Sequence, residues 1–181
     1  MPELPEVETV RRGIDRVALN RRITRVEVGR ERTVRRTSRE ELIDGLSGAR
    51  IVATRRHGKY LLCDLDTGYA VMIHLRMSGR VLVVEAGTQR PPHTHVVAHL
   101  EGTSEFAPGE LWFVDPRTFG EVVVFDPEHA NELVPELARL GPDPLAPGFT
   151  PEVLADRLRG KRTNLKATLL DQGVEIGRAH V

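Results

Sequence analysis

The chain opens Met1-Pro2-Glu3-Leu4-Pro5-Glu6. A small second residue lets the initiator methionine be removed, which would leave Pro2 with a free secondary amine. An α-amino group titrates near about 7.7–8.0, against about 10.4 for lysine, so a useful share is neutral and nucleophilic near neutral pH without any burial. Such an amine can attack an electrophilic sugar or carbonyl carbon and form an iminium. Glu3 and Glu6 bracket it as a general acid or base; acids at a helix start also simply complement its dipole. Three further groups carry chemistry. His57-Gly58-Lys59-Tyr60-Leu61-Leu62 presents a lysine at a glycine-marked turn, placed to reach a phosphate or merely solvated. His74-Leu75-Arg76-Met77-Ser78-Gly79 sets a methionine at a loop tip, where an apolar side chain can act as a wedge between bases. Asp115-Pro116-Arg117-Thr118-Phe119-Gly120 has an aromatic tip with an arginine two residues before it. Stacking and guanidinium hydrogen bonds are the tools for replacing an expelled base; a Phe119 that anchors a hairpin in the core is the alternative.

These residues need elements to hold them. Val7, Val10, Ile14, Val17 and Ala18 recur at three- and four-residue spacing and predict an amphipathic helix from Pro5 to Leu19. Ile23 to Val28 alternates imperfectly, and Ser38 with Glu41 forms a capping box ahead of Leu42, Ile43 and Leu46, which predicts a short helix. Short β-type runs follow at Arg50 to Arg56, Tyr60 to Asp64, Tyr69 to His74, Arg80 to Glu85, His95 to Leu100, Glu110 to Val114 and Glu121 to Phe125. Turn signals separate them, among them Asp66-Thr67-Gly68, Met77-Ser78-Gly79 and Asp115-Pro116. This spacing suggests an antiparallel sandwich or barrel. The proline- and glycine-dense stretch from Arg139 to Gly148 reads as a linker, after which Thr150-Pro151 and Asn164 open two more helices, the second running to Gln172. Read back into codons, Glu175 to Val181 gives a string known as a sequencing-library adapter, so the expectation is a non-native tail over 175–181.

With 181 residues, 40% hydrophobic, the chain is long enough for a real core. Its single cysteine excludes an internal disulfide and a four-cysteine zinc site. No apolar run approaches the roughly 18–20 residues of a membrane span, and charged residues stand where a signal peptide needs an apolar stretch; the expected location is the cytoplasm. Net charge is zero, but its distribution is lopsided: eleven arginines lie between Arg11 and Arg39 against Asp15, Glu27 and Glu31, whereas Asp126 to Asp156 holds seven acids and Arg139. One basic face suits a surface that meets phosphate on one side. A genome rich in G and C, reflected in arginine as 23 of the 26 bases, explains the same numbers.

Taken in order, PELPEVE, RHGKYLL, HLRMSG, DPRTFG, LGPDPL and LKATLLDQ give a chain that resembles the bacterial formamidopyrimidine-DNA glycosylase family from Pro2 to about Gly173. Leu4 favours this branch over the endonuclease VIII branch, which typically has glycine there. The resemblance implies a bifunctional base-excision repair enzyme acting on damaged double-stranded DNA. It would remove oxidised purines, chiefly 8-oxoguanine paired with cytosine and formamidopyrimidines, and then cut by β and δ elimination. It implies that Pro2 attacks C1′, that Glu3 transfers a proton at the sugar, that Glu6 supports the site and that Lys59 binds phosphate. Met77, Arg117 and Phe119 would fill the gap left by the flipped base, with Arg117 facing the orphaned cytosine; His74, His93 and Lys166 would touch phosphate or backbone. The implied architecture is mainly β with flanking helices. An antiparallel β-sandwich catalytic domain over 1–138 and a linker over 139–149 would lead into the start of a helix, two-turn, helix DNA-binding domain over 150–174. The family's zinc ion sits in a C-terminal four-cysteine finger, for which this chain has no ligands, so no metal is expected here. Thr118 departs from the family, which commonly has a second basic residue there. A monomer, nucleoid-associated when bound to DNA, is expected. Other readings are an endonuclease VIII-type glycosylase for oxidised pyrimidines, a damage-binding module without catalysis, and an N-terminal-proline tautomerase, which the loop motifs and length disfavour.

Overall fold

The computed structural model describes residues 2–144 and 146–176. Helix α1 (Leu4–Ala18) buries Val7, Ile14 and Ala18, the stripe that the three- and four-residue spacing predicts. Strand β1 (Ile23–Val28) and a short 3-10 turn at Glu31–Val34 lead to α2 (Arg39–Leu46). There Ser38 accepts from the Glu41 N–H and Glu41 returns the bond, so the capping box forms as expected. Six strands follow without an intervening helix: β2 (Ile51–His57), β3 (Tyr60–Leu65), β4 (Ala70–His74), β5 (Arg80–Glu85), β6 (Thr94–Leu100) and β7 (Gly109–Val114); β8 (Glu121–Phe125) completes the set. Each lies within a residue or so of the run that predicted it.

The strands form two antiparallel four-stranded sheets, ordered β1-β6-β7-β5 and β2-β3-β4-β8. Their facing side chains interleave with those of α1 and α2 in one core that includes Leu61, Ile73, Val96, Phe113 and Val124. This is the expected sandwich. Strands β3, β4 and β8 of the β2-β3-β4-β8 sheet are also covered on the other face. Leu62, Met72, Val123 and Phe125 pack there with Leu133, Val134, Leu137 and Leu140, supplied by α3 (Ala130–Leu133), α4 (Pro135–Arg139), the residue between them and the residue after α4. The sequence reading did not anticipate these two short helices. Four or five residues are too few for apolar periodicity to show, and the near-continuous apolar pattern of the strands opposite them was the better sign that these strands are covered twice.

From Leu140 to Thr150 no helix or strand forms among the described residues, as the proline and glycine content predicts. The segment is nonetheless tied down: Gly141 N–H donates to the Gln172 carbonyl, and Ile176 N–H to that of Pro142. Helix α5 (Pro151–Leu158) is capped by Thr150. Helix α6 (Leu165–Leu169), capped by Asn164, is shorter than predicted. It ends where the Asp171 carboxylate takes the Gly173 N–H and the Asp171 carbonyl takes that of Val174, which closes a turn. Of the expected tail over 175–181, Glu175 and Ile176 are described and buried, Ile176 lying near the β2–β3 turn at Gly58; residues 177–181 lie outside the described residues.

Leu61, fully buried between the sheets and opposite Ile73, is expected to lose about 2–5 kcal/mol on Leu61→Ala, the usual cost of a buried leucine truncation. Urea unfolding of the two chains measures it.

Candidate active site

Register places the site. Tyr60 lies opposite His74, and His74 opposite Glu121, so these three form a row across one end of the β2-β3-β4-β8 sheet. Lys59 directly precedes the row, the Met77 loop leaves it after His74, and the Arg117–Gly120 loop enters it at Glu121. Three motifs far apart in sequence therefore meet at one end of a single sheet. The fourth, the N-terminus, is brought there by charge: Lys59 Nζ lies 2.5 Å from Glu3 Oε2. Gly58 makes the lysine's turn possible, because its φ of +59° lies in the left-handed region.

Glu3 is also the N-cap of α1. Its own N–H donates to the Glu6 carboxylate, and its carbonyl accepts from Val7 at 3.1 Å. The two acids are thus fixed by the helix start, and Pro2 is held one peptide bond away from Glu3. One turn on, Glu8 accepts from Arg11 and Arg12 and pairs with Arg56 of β2 at 3.4 Å. The Arg11 hydrogen bond, working against burial, holds the Glu8 carboxyl down at about 2.

The two loops share one buried carboxylate. Asp115 accepts from Ser78 Oγ at 2.5 Å, from the Arg117 N–H at 3.2 Å and from the Gly120 N–H at 2.7 Å. Its own N–H donates to the His93 carbonyl, and its carbonyl meets His95 Nε2 at 2.8 Å. Burial works against ionisation, but the bonds from Ser78, Gly120 and Arg117 outweigh it and hold this carboxyl below its ordinary range. Gly120 has no substitute, since a Cβ there would lie 2.5 Å from the Phe113 ring and 3.0 Å from the His74 carbonyl. With their backbones fixed in this way, Met77 and Phe119 project outward, 43% and 41% exposed. That exposure excludes the core-anchor reading of Phe119. The Arg117 guanidinium lies 5.3 Å from the centre of the Phe119 ring, stacked on the residue it accompanies.

His74 is set into this end of the sheet. Its ring is buried, 4.3 Å from Tyr60 edge to face, and its Nδ1 accepts from the Arg76 N–H at 3.2 Å. Burial first, and then the Arg76 charge, push its pKa down to about 4, so it is neutral at pH 7 and fixes the Met77 loop. His93 is exposed, at a φ of +68°, and contributes its carbonyl to Asp115. Lys166 lies exposed on α6, and no hydrogen bond or ion pair among the described residues joins it to this end of the sheet. Sequence reasoning passed over Asp115, treated only as a turn residue, and Glu121. A charged residue heading the otherwise apolar strand Glu-Val-Val-Val-Phe was the available signal, because such a group needs a partner. Among the described residues no three His, Cys, Asp or Glu side chains are grouped to hold a metal ion, and no helix is long and apolar enough to cross a membrane.

A two-sheet sandwich whose helical N-terminus is ion-paired to a sheet end that also displays an exposed methionine and an arginine–phenylalanine pair defines the class to which this fold and site belong. The profile of the formamidopyrimidine-DNA glycosylase N-terminal domain matches residues 1–122, and the chain belongs to that family. It is 43% identical over 181 residues to the formamidopyrimidine-DNA glycosylase of Symbiobacterium thermophilum, covering 100% of this chain and 57% of that protein. With the enzyme of Carboxydothermus hydrogenoformans the identity is 39%, over 62% of its length. The crystal structure of Lactococcus lactis Fpg with an abasic site containing DNA superposes with a TM-score of 0.85 at 29% identity, covering 98% of this chain and 64% of that one. A complex of inhibited Lactococcus Fpg with N7-benzyl-Fapy-dG containing DNA gives 0.85 at 30% identity and 63% of its chain. The chain thus spans about three fifths of the length of these relatives.

Two outcomes follow from this geometry. Asp115→Ala leaves three donors without their acceptor and is expected to cost at least about 1–3 kcal/mol, with faster amide exchange at residues 76–79 and 117–120 in hydrogen-exchange measurements. His74 has a folded pKa below its unfolded value, so between roughly pH 6.5 and pH 4 the unfolded chain binds more protons and stability falls as pH is lowered through that window. In His74→Gln, thermal unfolding from pH 7 to pH 4 should show a shallower fall.

Proposed function

We propose that this chain is the catalytic, N-terminal portion of a bifunctional DNA glycosylase and abasic-site lyase of the cytoplasm. It would act as a monomer on damaged double-stranded DNA and remove oxidised purines, chiefly 8-oxoguanine opposite cytosine and formamidopyrimidines. The observation that carries this reading is the convergence on one sheet end of the Glu3–Lys59 pair and the two exposed tips, Met77 and Phe119. The tips suit the duplex: they can enter the stack as the damaged nucleotide leaves it, with Arg117 offering guanidinium donors to the orphaned base. The end of α1 suits the sugar. The Pro2 lone pair forms a bond to C1′, the bond to the damaged base breaks, and the base departs with the electron pair of that broken bond and with the proton that the Pro2 nitrogen gives up. Proton transfer at the sugar falls to Glu3, which lies beside Pro2 with one carboxylate oxygen buried against the Lys59 ammonium. Glu3 delivers its proton to O4′ as the C1′–O4′ bond opens and the nitrogen lone pair forms the C1′=N bond; the resulting iminium acidifies the C2′ proton, whose loss expels the 3′ phosphate, and a second elimination expels the 5′ phosphate. Lys59 has two further N–H donors, enough to hold a phosphate beside the reacting sugar.

We assign residues 1–138 to the catalytic sandwich, 139–149 to a linker and 150–174 to the start of a helical DNA-binding domain. The zinc ion of the family does not fit this chain's residues. Its one cysteine, Cys63, is buried between the sheets, and burial pushes its thiol up to about 12.

Borohydride trapping tests the proposal, with loss of Met1 first confirmed by mass. A covalent complex is expected on a duplex carrying an abasic site. It should be abolished when an N-terminal extension blocks Pro2, and Glu3→Gln should slow release of 8-oxoguanine by about 100-fold or more. A complex that survives the extension would overturn Pro2 as the nucleophile.

A further inference from the structure

Glu121 is 1% exposed, yet it meets three guanidinium groups. Arg35 Nη2 lies 2.6 Å and Arg76 Nη2 2.9 Å from the same oxygen, Oε1, while Arg36 Nε lies 2.5 Å from Oε2. Arg36 is committed elsewhere as well, to the Glu136 carboxylate through both terminal nitrogens and to the Leu133 carbonyl at 3.0 Å. Three cations thus face two carboxylates. The surplus charge rests with Arg35 and Arg76, because Arg36 is closed off by its second acid.

The position of that surplus is specific. Arg76 directly precedes Met77, and Arg35 Nη2 lies 3.4 Å from the Phe119 carbonyl, so each guanidinium belongs to one of the two exposed tips. Both side chains are 39% exposed; Arg76 Nε is buried, and the outward-facing part of that side chain is its terminal nitrogens. Two part-exposed guanidiniums fixed on one carboxylate oxygen, short of negative charge and each beside a side chain suited to enter a base stack, suit the oxygens of a phosphodiester. We propose that Arg35 and Arg76, held by Glu121, receive one backbone phosphate of the bound duplex next to the flipped nucleotide. This rests on the DNA-binding reading above and adds a contact to it. Glu121 is then a positioning residue. It keeps two mobile side chains extended in the unbound protein, so that their ordering is not left to the moment of binding.

The test is binding of the chain to a 15-base-pair duplex with a tetrahydrofuran abasic analogue opposite cytosine, followed by fluorescence anisotropy across a salt series. The measurement is repeated with methylphosphonate replacing each phosphate near the lesion in turn, on both strands. One neutralised position is expected to weaken binding about tenfold, the worth of a charge-assisted contact. In Arg35→Gln/Arg76→Gln the unmodified duplex should bind about tenfold more weakly, the slope of log K against log salt should fall by about one, and that position should carry no further penalty. Glu121→Gln should shrink the same position-specific penalty, which a general loss of stability would not do. Should the glutamine pair fail to fold, Arg35→Lys/Arg76→Lys keeps both charges, and is expected to hold the salt slope while losing most of the penalty along with the forks. Penalties and slope unchanged in the variants would overturn this inference alone. A chain that binds neither duplex form would overturn the DNA-binding reading with it.

Discussion

Strands β3, β4 and β8 are covered on both faces, on one by the opposite sheet and on the other by residues from Ala130 to Leu140. A strand covered on both faces has no side chain to spare for function along its length, so polar groups concentrate where the strands end. At one of those ends the row Tyr60, His74 and Glu121 is partly polar and almost fully buried, and every group in it must find a partner nearby. His74 accepts from the backbone of Arg76, and Glu121 collects guanidiniums from Arg35, Arg36 and Arg76. The loops that could bind a partner are built from the same groups that satisfy this row.

Buried carboxylates are a costly way to join loops. An ionised acid gives up several kcal/mol of hydration on burial, and apolar packing of equal volume often serves stability as well. Asp115 and Glu121 return something that apolar packing cannot. Asp115 fixes the direction of three separate donors, two of them backbone N–H groups within the Arg117–Gly120 loop and one the hydroxyl of the other loop. A carboxylate offers about four lone-pair directions, whereas a leucine would fill the space and leave the N–H groups unpaired. The outcome is a pair of loops whose relative position is set by one residue.

Much of this was legible in the sequence, and the limits have physical causes. The stripe on α1, the capping box of α2 and the alternation of apolar runs depend on neighbours within about four residues, so local patterns revealed them. Met77 and Phe119 were legible because an apolar side chain at a turn has few reasons to be there. The partnership of Asp115 with Ser78 spans 37 residues and that of Arg36 with Glu136 spans 100, and no local pattern encodes either. For the same reason the burial of His74 was not legible. Its burial depends on Tyr60 across the ladder and on Gly120, whose missing side chain leaves room for the Phe113 ring and the His74 carbonyl. A histidine beside an arginine in a loop motif looks like surface until the register is known.

Exposed tips on rigid loops are not a contradiction. An apolar side chain that docks on a partner loses less on binding if its backbone is already fixed, because the ordering cost has been met during folding. Arg76 and Thr118 both hold positive φ values, +55° and +57°, although neither is glycine. Such conformations cost of order 1–3 kcal/mol each and persist only where the surroundings impose them. Here the surroundings do so: Arg76 is held by His74 and Glu121, and Thr118 lies inside the turn that Asp115 closes. One residue of each loop is strained, and each lies directly beside an exposed tip. The strain and the buried charges therefore act together, holding Met77 and Phe119 out from a backbone that has little freedom left to lose.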